Sequence, residues 1–132
     1  MNHVEATKAM FEAFARGDVH AILERLAPDV EWEYGVISHD VPWYQARRGR
    51  AEAARFFQSL AAVEFHQFQP KAFLGHDDTV VVLLDADYSV KTTGKHVVYE
   101  DAVTIWKFNA AGQVARFAHR IDTHQAWLAY HA

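Results

Sequence analysis

Three segments in the first half of the chain carry apolar residues at intervals of three and four, the spacing of a helix with one buried face. They cover residues 4–15, 19–26 and 50–61. Gly17 favours the end of the first helix, and Pro28 favours the end of the second, because proline disfavours helical geometry in the residue before it. The pattern therefore predicts three helices in this half.

Other segments alternate between apolar and polar residues, which is typical of a strand with one buried face. Residues 30–34 alternate strictly, and the pattern puts Glu31 and Glu33 on the polar face. Four longer strands are predicted at 64–74, 79–92, 97–108 and 113–123, before a short final helix at 124–130. Turn sequences join these four strands, so consecutive strands should pair in the antiparallel sense.

The order α-α-β-α-β-β-β-β predicts the α+β class and a single domain over residues 1–132. Long antiparallel strands twist and coil, and the helices can cover only one face of the sheet. We therefore expect a cone-shaped, curved, mixed or antiparallel sheet that encloses an apolar pocket together with the three helices.

The composition supports a packed core and narrows the chemistry. The hydrophobic fraction is 51%, and the aromatic fraction, 14%, is high enough to favour either a very well filled core or an aromatic-lined cavity. The chain has no cysteine, which excludes disulfides and thiolate chemistry. Because the first residues lack the apolar run of a signal peptide, we expect a cytoplasmic protein.

Charge and motifs argue against several partners. The formal net charge is −4, and the densest basic cluster, Arg47, Arg48 and Arg50, is followed at once by Glu52, so nucleic-acid binding is not expected. The most apolar stretch, 79–84, is too short to span a membrane. No histidine pair has metal-binding spacing and no glycine-rich phosphate loop occurs, so neither a metal nor a cofactor is expected.

The segment 35–48 is unusual because it is irregular yet contains large rings. Loops are normally polar and exposed, whereas this one contains Trp43 and Tyr44. We expect it to fold over the pocket. His39 and Asp40, in the same segment, are candidates for the mouth of that pocket.

Several short patterns recur in a familiar order. They are Phe14-Ala15-Arg16-Gly17-Asp18, Ala27-Pro28-Asp29-Val30-Glu31-Trp32, Arg48-Gly49-Arg50 before Phe56-Phe57, Thr93-Gly94-Lys95, and Gly112-Gln113-Val114 before Ile121-Asp122-Thr123. Over nearly the whole chain this set resembles the SnoaL-like branch of the nuclear transport factor 2-like superfamily, which includes polyketide cyclases, limonene epoxide hydrolase and ketosteroid isomerase. The resemblance implies a cystatin-like α+β barrel, a scaffold that hosts many activities and many proteins without one.

His119 is the first candidate for chemistry. In the strand predicted at 113–123 it shares one face with Phe117 and Ile121, so its imidazole should face the pocket. Histidine titrates near neutral pH and can act as an acid or a base. The resemblance points to the same position, where the cyclases and the epoxide hydrolase carry a carboxylate. A buried histidine with a purely structural hydrogen bond is the alternative.

Asp85 and Asp87 lie two residues apart in the strand predicted at 79–92 and therefore share one face. By resemblance, Asp87 matches an aspartate of the epoxide hydrolase, and Asp85 stands where that enzyme has arginine. On a cavity wall, two such carboxylates would share a proton. Both faces of this strand are partly apolar, so the inward face stays open, and a solvated face is the alternative.

Glu100 and Asp101 are adjacent and should point to opposite sides of their strand, so only one can reach the pocket. Glu100 goes with Ala102, Thr104 and Trp106 if that set faces inward; otherwise Asp101 reaches the pocket. The sequence leaves this choice open, as it does the alternative of an exposed ion pair.

Aromatic residues are the main candidates for the wall of the pocket, with core packing as the alternative for each. The predicted substrate-binding residues are Trp32, Trp43, Tyr44, Phe56, Asp85, Tyr88, Trp106 and Phe117. Tyr34 is in addition a candidate donor to a substrate carbonyl.

Two differences from the resembling enzymes reduce the range of reactions that we expect. Ketosteroid isomerase needs a tyrosine on its first helix and a base at the end of its first strand, and these positions fall on Met10 and Tyr34. The arginine of the epoxide hydrolase is also missing. The cyclase arrangement, which mainly requires one proton acceptor in an apolar pocket, fits better.

The leading hypothesis is a small-molecule-binding protein that acts as a cofactor-free acid–base enzyme of the cyclase, isomerase or hydrolase type on a hydrophobic carbonyl compound. In it His119 moves a proton, Asp87 or Glu100 orients the ring, and Tyr34 or a water molecule stabilises the oxyanion.

The rival hypothesis is a non-catalytic ligand-binding or dimerisation domain. The outer face of the last strand carries Arg116 and Arg120, which suits a polar contact between two copies in a homodimer.

Overall fold

The structure is a computed structural model that describes residues 2–35 and 40–132. The elements in chain order are α1 His3–Ala15, α2 Val19–Leu23, β1 Leu26–Trp32, β2 Arg47–Arg48, α3 Arg50–Ser59, a 3-10 turn Leu60–Ala62, β3 Val63–His76, β4 Thr79–Val90, β5 His96–Phe108, β6 Val114–Arg120 and α4 Thr123–Tyr130. The α+β class and the three helices of the N-terminal half are therefore confirmed.

The strands form one curved, mixed sheet in the order β2-β1-β6-β5-β4-β3. β3 to β6 pair antiparallel, as their turns predict, whereas β1 lies parallel to β6. This parallel contact places Trp32 opposite Phe117, so the end of the first strand meets the middle of the last. The site described below lies at this junction.

The second helix and the first strand differ from the prediction. The helix ends at Leu23, and β1 already begins at Leu26, so Pro28 lies inside a strand and does not end a helix. Pro28 is exposed in β1, and proline is tolerated there because its missing N–H leaves no buried partner unpaired. β1 also ends at Trp32, two residues earlier than the alternation indicates.

The core lies between the helices and the concave face of the sheet. Along β4 the burial alternates at every residue, with Val80, Val82, Leu84, Ala86 and Tyr88 buried on the concave side. Met10 of α1 and Phe56 of α3 pack against this side. The sheet therefore has one apolar face and one polar, convex face.

Three β-bulges lie next to β4 and contribute to the bend of the sheet, and the first has His66 as the extra residue of β3. Lys71 is an extra residue of β3, and Glu100 and Asp101 of β5 together oppose Asp85 of β4. The Lys71 ammonium lies 2.9 Å from the Asp85 carboxylate and 2.6 Å from the Asp101 carboxylate, on the convex face. Bulges increase local twist and bend the bulged strand, which is how a sheet curves around a cavity.

No helix within residues 2–35 and 40–132 is both long and apolar enough to cross a membrane.

Candidate functional site

A cavity of about 100 Å³ lies between the concave face of the sheet and the helices. Its wall is almost entirely apolar and aromatic, with rings from β1, α3, β4, β5 and β6. The rings predicted to bind substrate that line it are Trp32, Trp43, Tyr44, Phe56, Tyr88, Trp106 and Phe117. Their role in binding stays a prediction.

His119 lines the same cavity, and its ring is held in place by hydrogen bonds with the side chain of Glu33. The Glu33 carboxylate accepts a hydrogen bond from the backbone N–H of His119 at 2.7 Å, and it lies 2.8 Å from ring atom Nδ1. The same oxygen, Oε1, accepts from the backbone N–H and so is an acceptor toward the ring as well, which places the proton of this bond on Nδ1. Nε2 is then an acceptor, and it has no hydrogen-bond partner within the described part of the chain.

Glu33 was assigned to the polar face by alternation, and the structure shows it almost fully buried, with 1% of its surface exposed. The reason is its backbone: φ is 60°, in the left-handed region that residues other than glycine rarely adopt. This conformation ends β1 and breaks the alternation, which turns the carboxylate toward β6. Backbone strain of about 1–3 kcal/mol is typical of such residues and is concentrated at functional sites.

The Glu33 backbone is fixed by the strand beside it. Its N–H donates to the carbonyl of Phe117 at 2.7 Å, and the N–H of Tyr34 donates to the same oxygen at 3.2 Å. These two hydrogen bonds to one oxygen continue the contact between β1 and β6 past the end of β1, and they hold the strained turn in place.

Three aromatic rings surround the imidazole. The centroid of the His119 ring lies 4.9 Å from that of Phe117, 5.3 Å from that of Tyr44 and 6.0 Å from that of Phe56. They restrict the ring to one orientation and keep bulk water from most of it. The arrangement can therefore accept a proton from a molecule held in the cavity.

Tyr44, Tyr88 and Tyr99 form a buried cluster in the same wall, close enough to influence one another's ionisation. The Tyr88 hydroxyl accepts from the Trp43 indole at 3.0 Å, and the Tyr99 hydroxyl donates to the carbonyl of Asp122 at 3.0 Å. Burial raises the pKa of Tyr44 well above its ordinary value of 10.0 and also raises the pKa values of Tyr88 and Tyr99. All three phenols therefore keep their protons at neutral pH and can act as donors.

Tyr34 does not reach the cavity, which corrects its predicted role as a substrate donor. The left-handed turn at Glu33 sends it to the opposite side of the sheet. There its ring packs against the guanidinium groups of Arg116 and Arg120, at 4.0 and 4.9 Å from the ring centroid. The alternation of residues 30–34 does not continue past Trp32, because the positive φ of Glu33 breaks it, and Tyr34 therefore faces the other side.

Asp85 and Asp87 also lie outside the cavity, on the convex face of β4. Asp85 pairs with Lys71, and this hydrogen-bonded ammonium lowers the pKa of the Asp85 carboxyl. Asp87 lies 2.9 Å from Nδ1 of His96. The concave side belongs to the other face of β4, so the predicted shared proton and the orienting role of Asp87 are corrected.

Glu100 is exposed and does not line the cavity, although Ala102, Thr104 and Trp106 do. The bulge explains the error. Asp101 adopts a φ of 55°, and the extra residue shifts the alternation so that Tyr99 and Ala102 face the same side. Neither acid of this pair enters the cavity, and the residue that orients His119 is Glu33.

The loop before β2 is described from Asp40 onward, and His39 lies outside the described residues. Asp40 is exposed, and its carbonyl accepts from His131 at 3.0 Å. Trp43 and Tyr44 are both buried against the cavity, with the Trp43 ring in edge contact with Tyr88 and Tyr130. This part of the loop therefore closes one side of the cavity.

In the ranges 2–35 and 40–132, no three histidine or carboxylate side chains come together in a way that could hold a metal ion. The acid–base groups of the cavity wall in these ranges are His119 and the three buried tyrosines.

Comparisons with known proteins give one family, from a family model, and one fold, from solved structures. A model of the SnoaL-like domain matches residues 7–117. An NTF2-like protein of unknown function from Burkholderia pseudomallei K96243 is 22% identical, with a TM-score of 0.84 over 100% of both chains. TerC, crystallised with polyporic acid, is 22% identical, with a TM-score of 0.81 over 98% of both chains.

A protein from Mesorhizobium loti, proposed to be a SnoaL-like polyketide cyclase, is 18% identical with a TM-score of 0.74. The match covers 91% of this chain and 99% of that one. At such identities the three structures show a shared fold. No functionally curated protein sequence matches the chain.

Proposed function

Because the chain belongs to the SnoaL-like family, we propose that it binds a small hydrophobic carbonyl compound in its cavity and transfers a proton on that compound with His119. The observation that carries the proposal is the 2.8 Å contact between Glu33 and Nδ1 of His119, with the imidazole at an apolar cavity wall. A carboxylate behind a histidine fixes the tautomer and offsets the charge that the ring gains when it takes a proton.

The proposed reaction uses Nε2 of His119 as the base. Nε2 removes a proton from a carbon next to the ligand's carbonyl, and the electron pair of the broken C–H bond moves to the carbonyl oxygen to give an enolate. The imidazolium then returns the proton to another carbon of the ligand, which gives an isomerase outcome. In a cyclase outcome the enolate carbon instead attacks a second carbonyl carbon of the ligand, the C=O π bond opens to an alkoxide, and that oxygen takes the proton from the imidazolium. The protonated Tyr44, beside His119, is a candidate donor to the oxygen that becomes negative.

The size of the cavity limits the ligand. An enclosed cavity of about 150 Å³ binds benzene. The cavity here, at about 100 Å³, is smaller but open on one side, so it favours a compact ring compound that extends into the opening over a large polycyclic one. The co-crystallisation of TerC with polyporic acid supports the proposal that this scaffold takes small molecules.

The test is proton exchange. Cyclohexanone, 1-indanone and 2-indanone are incubated in deuterated buffer with the protein, and loss of the protons next to the carbonyl is followed by NMR. We expect exchange above the buffer rate with the wild type, and none above it with His119→Ala or with His119→Gln. The midpoint of thermal unfolding should stay within a few degrees, which separates lost chemistry from lost folding.

His124→Gln is the matched control, because His124 is exposed at the start of α4 and does not line the cavity. It should exchange protons like the wild type. If no ketone exchanges faster than in buffer, or if His124→Gln loses exchange as completely as the His119 variants do, His119 is not the base.

A second candidate function is ligand binding without turnover, since the tyrosines and rings of the wall can hold a ligand whether or not a proton moves. Binding of a ketone to the wild type, detected through tryptophan fluorescence, without any exchange would favour this candidate. We also propose a homodimer through the convex face. Light scattering after size exclusion tests it, and a monomer at micromolar concentration would contradict it.

A further inference from the structure

The partly exposed residues of the cavity wall fall into two groups. One group lies at the end of β6 and consists of His119 and Ile121. The other, here called the phenylalanine rim, comes from α1, α3, the 3-10 turn and β3, and consists of Phe11, Phe14, Phe57, Leu60, Phe65 and Phe68. Every other described residue of the wall is buried, so the cavity approaches the surface at these two places.

The phenylalanine rim is a continuous apolar surface. The ring centroid of Phe14 lies 6.3 Å from that of Phe57, 6.1 Å from that of Phe65 and 5.0 Å from that of Phe68. Phe65 lines the cavity and is nevertheless 36% exposed. All six side chains are hydrocarbon and offer no hydrogen bond. Exposed apolar surface that continues into a cavity is typical of a groove that binds a ligand.

The phenylalanine rim lies far from His119 along the sheet. His119 belongs to β6 and Phe65 to β3, and β5 and β4 lie between them. Neighbouring strands are about 4.8 Å apart, so the backbones of β6 and β3 are separated by about 14 Å along the sheet. A single ring held at His119 therefore leaves the rim uncovered, and only a longer ligand covers both ends of the cavity.

We propose that the ligand is a cyclic ketone with an apolar tail, bound with its ring at His119 and its tail in the phenylalanine rim. This inference rests on the proposed function and narrows its substrate class. The carbonyl end meets the acid–base groups of the wall, whereas the rim selects by shape and apolar area alone. A charged tail would lose its hydration at the rim without gaining a hydrogen bond, and is therefore excluded.

Each methylene of the tail that the phenylalanine rim covers should add affinity. A fully buried methylene raises affinity about fourfold. The rim is partly open to water, so we expect about twofold to threefold per methylene. The gain should level off once the tail has passed Phe65, because further methylenes lie in water.

The experiment measures the dissociation constants of 4-methyl-, 4-propyl-, 4-pentyl- and 4-heptylcyclohexanone through tryptophan fluorescence. These ketones share one head group and differ only in the tail opposite the carbonyl. With the wild type, affinity should rise by about twofold to threefold per methylene before it levels off. Phe65→Ala should reduce this gain, because it removes the most exposed ring of the phenylalanine rim.

Leu74→Ala is the matched control. Leu74 belongs to the same strand as Phe65 and is 57% exposed, but it does not line the cavity. The substitution also removes an exposed apolar side chain from β3, and it should leave the gain per methylene as in the wild type.

A second readout uses the wild type alone and does not depend on how well the variants fold. Nuclear Overhauser effects are recorded between bound 4-heptylcyclohexanone and the protein. The protons next to the carbonyl should be close to the His119 ring, and the terminal methyl group should be close to the ring of Phe65 or Phe68.

The outcomes separate this inference from the proposed function. The inference is wrong if affinity does not depend on tail length, if Phe65→Ala keeps the gain or Leu74→Ala loses it equally, or if the terminal methyl group lies at Ile121. Proton exchange on cyclohexanone is unaffected by that result. If the tails add affinity but no ketone exchanges protons, the proposed proton transfer fails and the inference stands. If none of the four ketones binds the wild type, both fail.

Discussion

The carboxylate of Glu33 contacts two nitrogen atoms of His119. It lies 2.7 Å from the backbone nitrogen and 2.8 Å from ring atom Nδ1. A single oxygen, Oε1, makes both contacts. Position and tautomer of the imidazole are thus set by one buried side chain, and Glu33 is a positioning residue in the proposed reaction.

Glu33→Gln should lower the rate of proton exchange on a ketone by about 100-fold or more, the scale seen when a carboxylate that orients a catalytic histidine is replaced. The amide lacks the negative charge that offsets a protonated ring. The rate is measured as a function of pH, and the ¹⁵N shifts of the His119 ring report the tautomer. We expect the variant to keep the proton on Nδ1, because the amide oxygen can still accept both bonds, and to lose rate through the missing charge.

Glu31→Gln is the control for this change. Glu31 lies two residues before Glu33 in the chain, but on the convex side, where it pairs with Arg116 at 2.7 Å. It should leave both the rate and the His119 shifts unchanged. If Glu33→Gln and Glu31→Gln lower the exchange rate equally, or if neither lowers it, Glu33 has no role in the proposed reaction.

The tyrosine cluster predicts a loss of stability in alkali. Burial raises the pKa values of Tyr44, Tyr88 and Tyr99 above 10.0, so the folded protein keeps protons that the unfolded chain releases. Their contribution to stability is therefore fully present below about pH 10 and is lost as pH rises toward the folded pKa values. The loss amounts to about 1.4 kcal/mol per pH unit for each tyrosine that only the unfolded chain ionises.

Tyrosinate absorbance in the near ultraviolet measures directly how many tyrosines have ionised at each pH. Of the five tyrosines in the chain, these three should ionise only when the protein unfolds. Tyr88→Phe should reduce the hidden number by one and make the stability curve less steep above pH 10. Smooth ionisation of all five tyrosines in the folded protein would show that the cluster is accessible to water.

Thr104→Val should destabilise the protein by about 1–3 kcal/mol, because it leaves the buried N–H of Trp106 without its acceptor. Urea unfolding gives the change in free energy. In a Trp106→Phe background the same substitution should cost clearly less, since no donor is then left unpaired. Additive losses in this cycle would mean that the hydroxyl stabilises the core through packing alone.

Periodicity is sufficient to predict most of the architecture. The strand predicted at 79–92 appears in the structure as β4, Thr79–Val90, and burial alternates along it at every residue. What periodicity could not decide was which face of β4 turns inward, because Val81 and Leu83 are as apolar as their neighbours. The correct face is set by β3 and β5 on either side, and no local pattern carries that information.

The site was predictable only in part, and the failures share a cause. His119 follows from an apolar row in a regular strand, and the structure puts it at the cavity wall. Glu33, Tyr34 and Glu100 were misplaced because Glu33 and Asp101 adopt positive φ values, at 60° and 55°. A single such residue reverses the alternation beyond it, and neither is a glycine whose presence would have signalled the change.

Glu33 and His119 are 86 residues apart in the chain and meet only because β1 and β6 run side by side. Contacts between such distant segments form late, since the closure of a long loop must come before they stabilise anything. The carboxylate of Glu33 therefore reaches the imidazole only once β1 has paired with β6. A partly folded chain that lacks this pairing also lacks the carboxylate beside the ring.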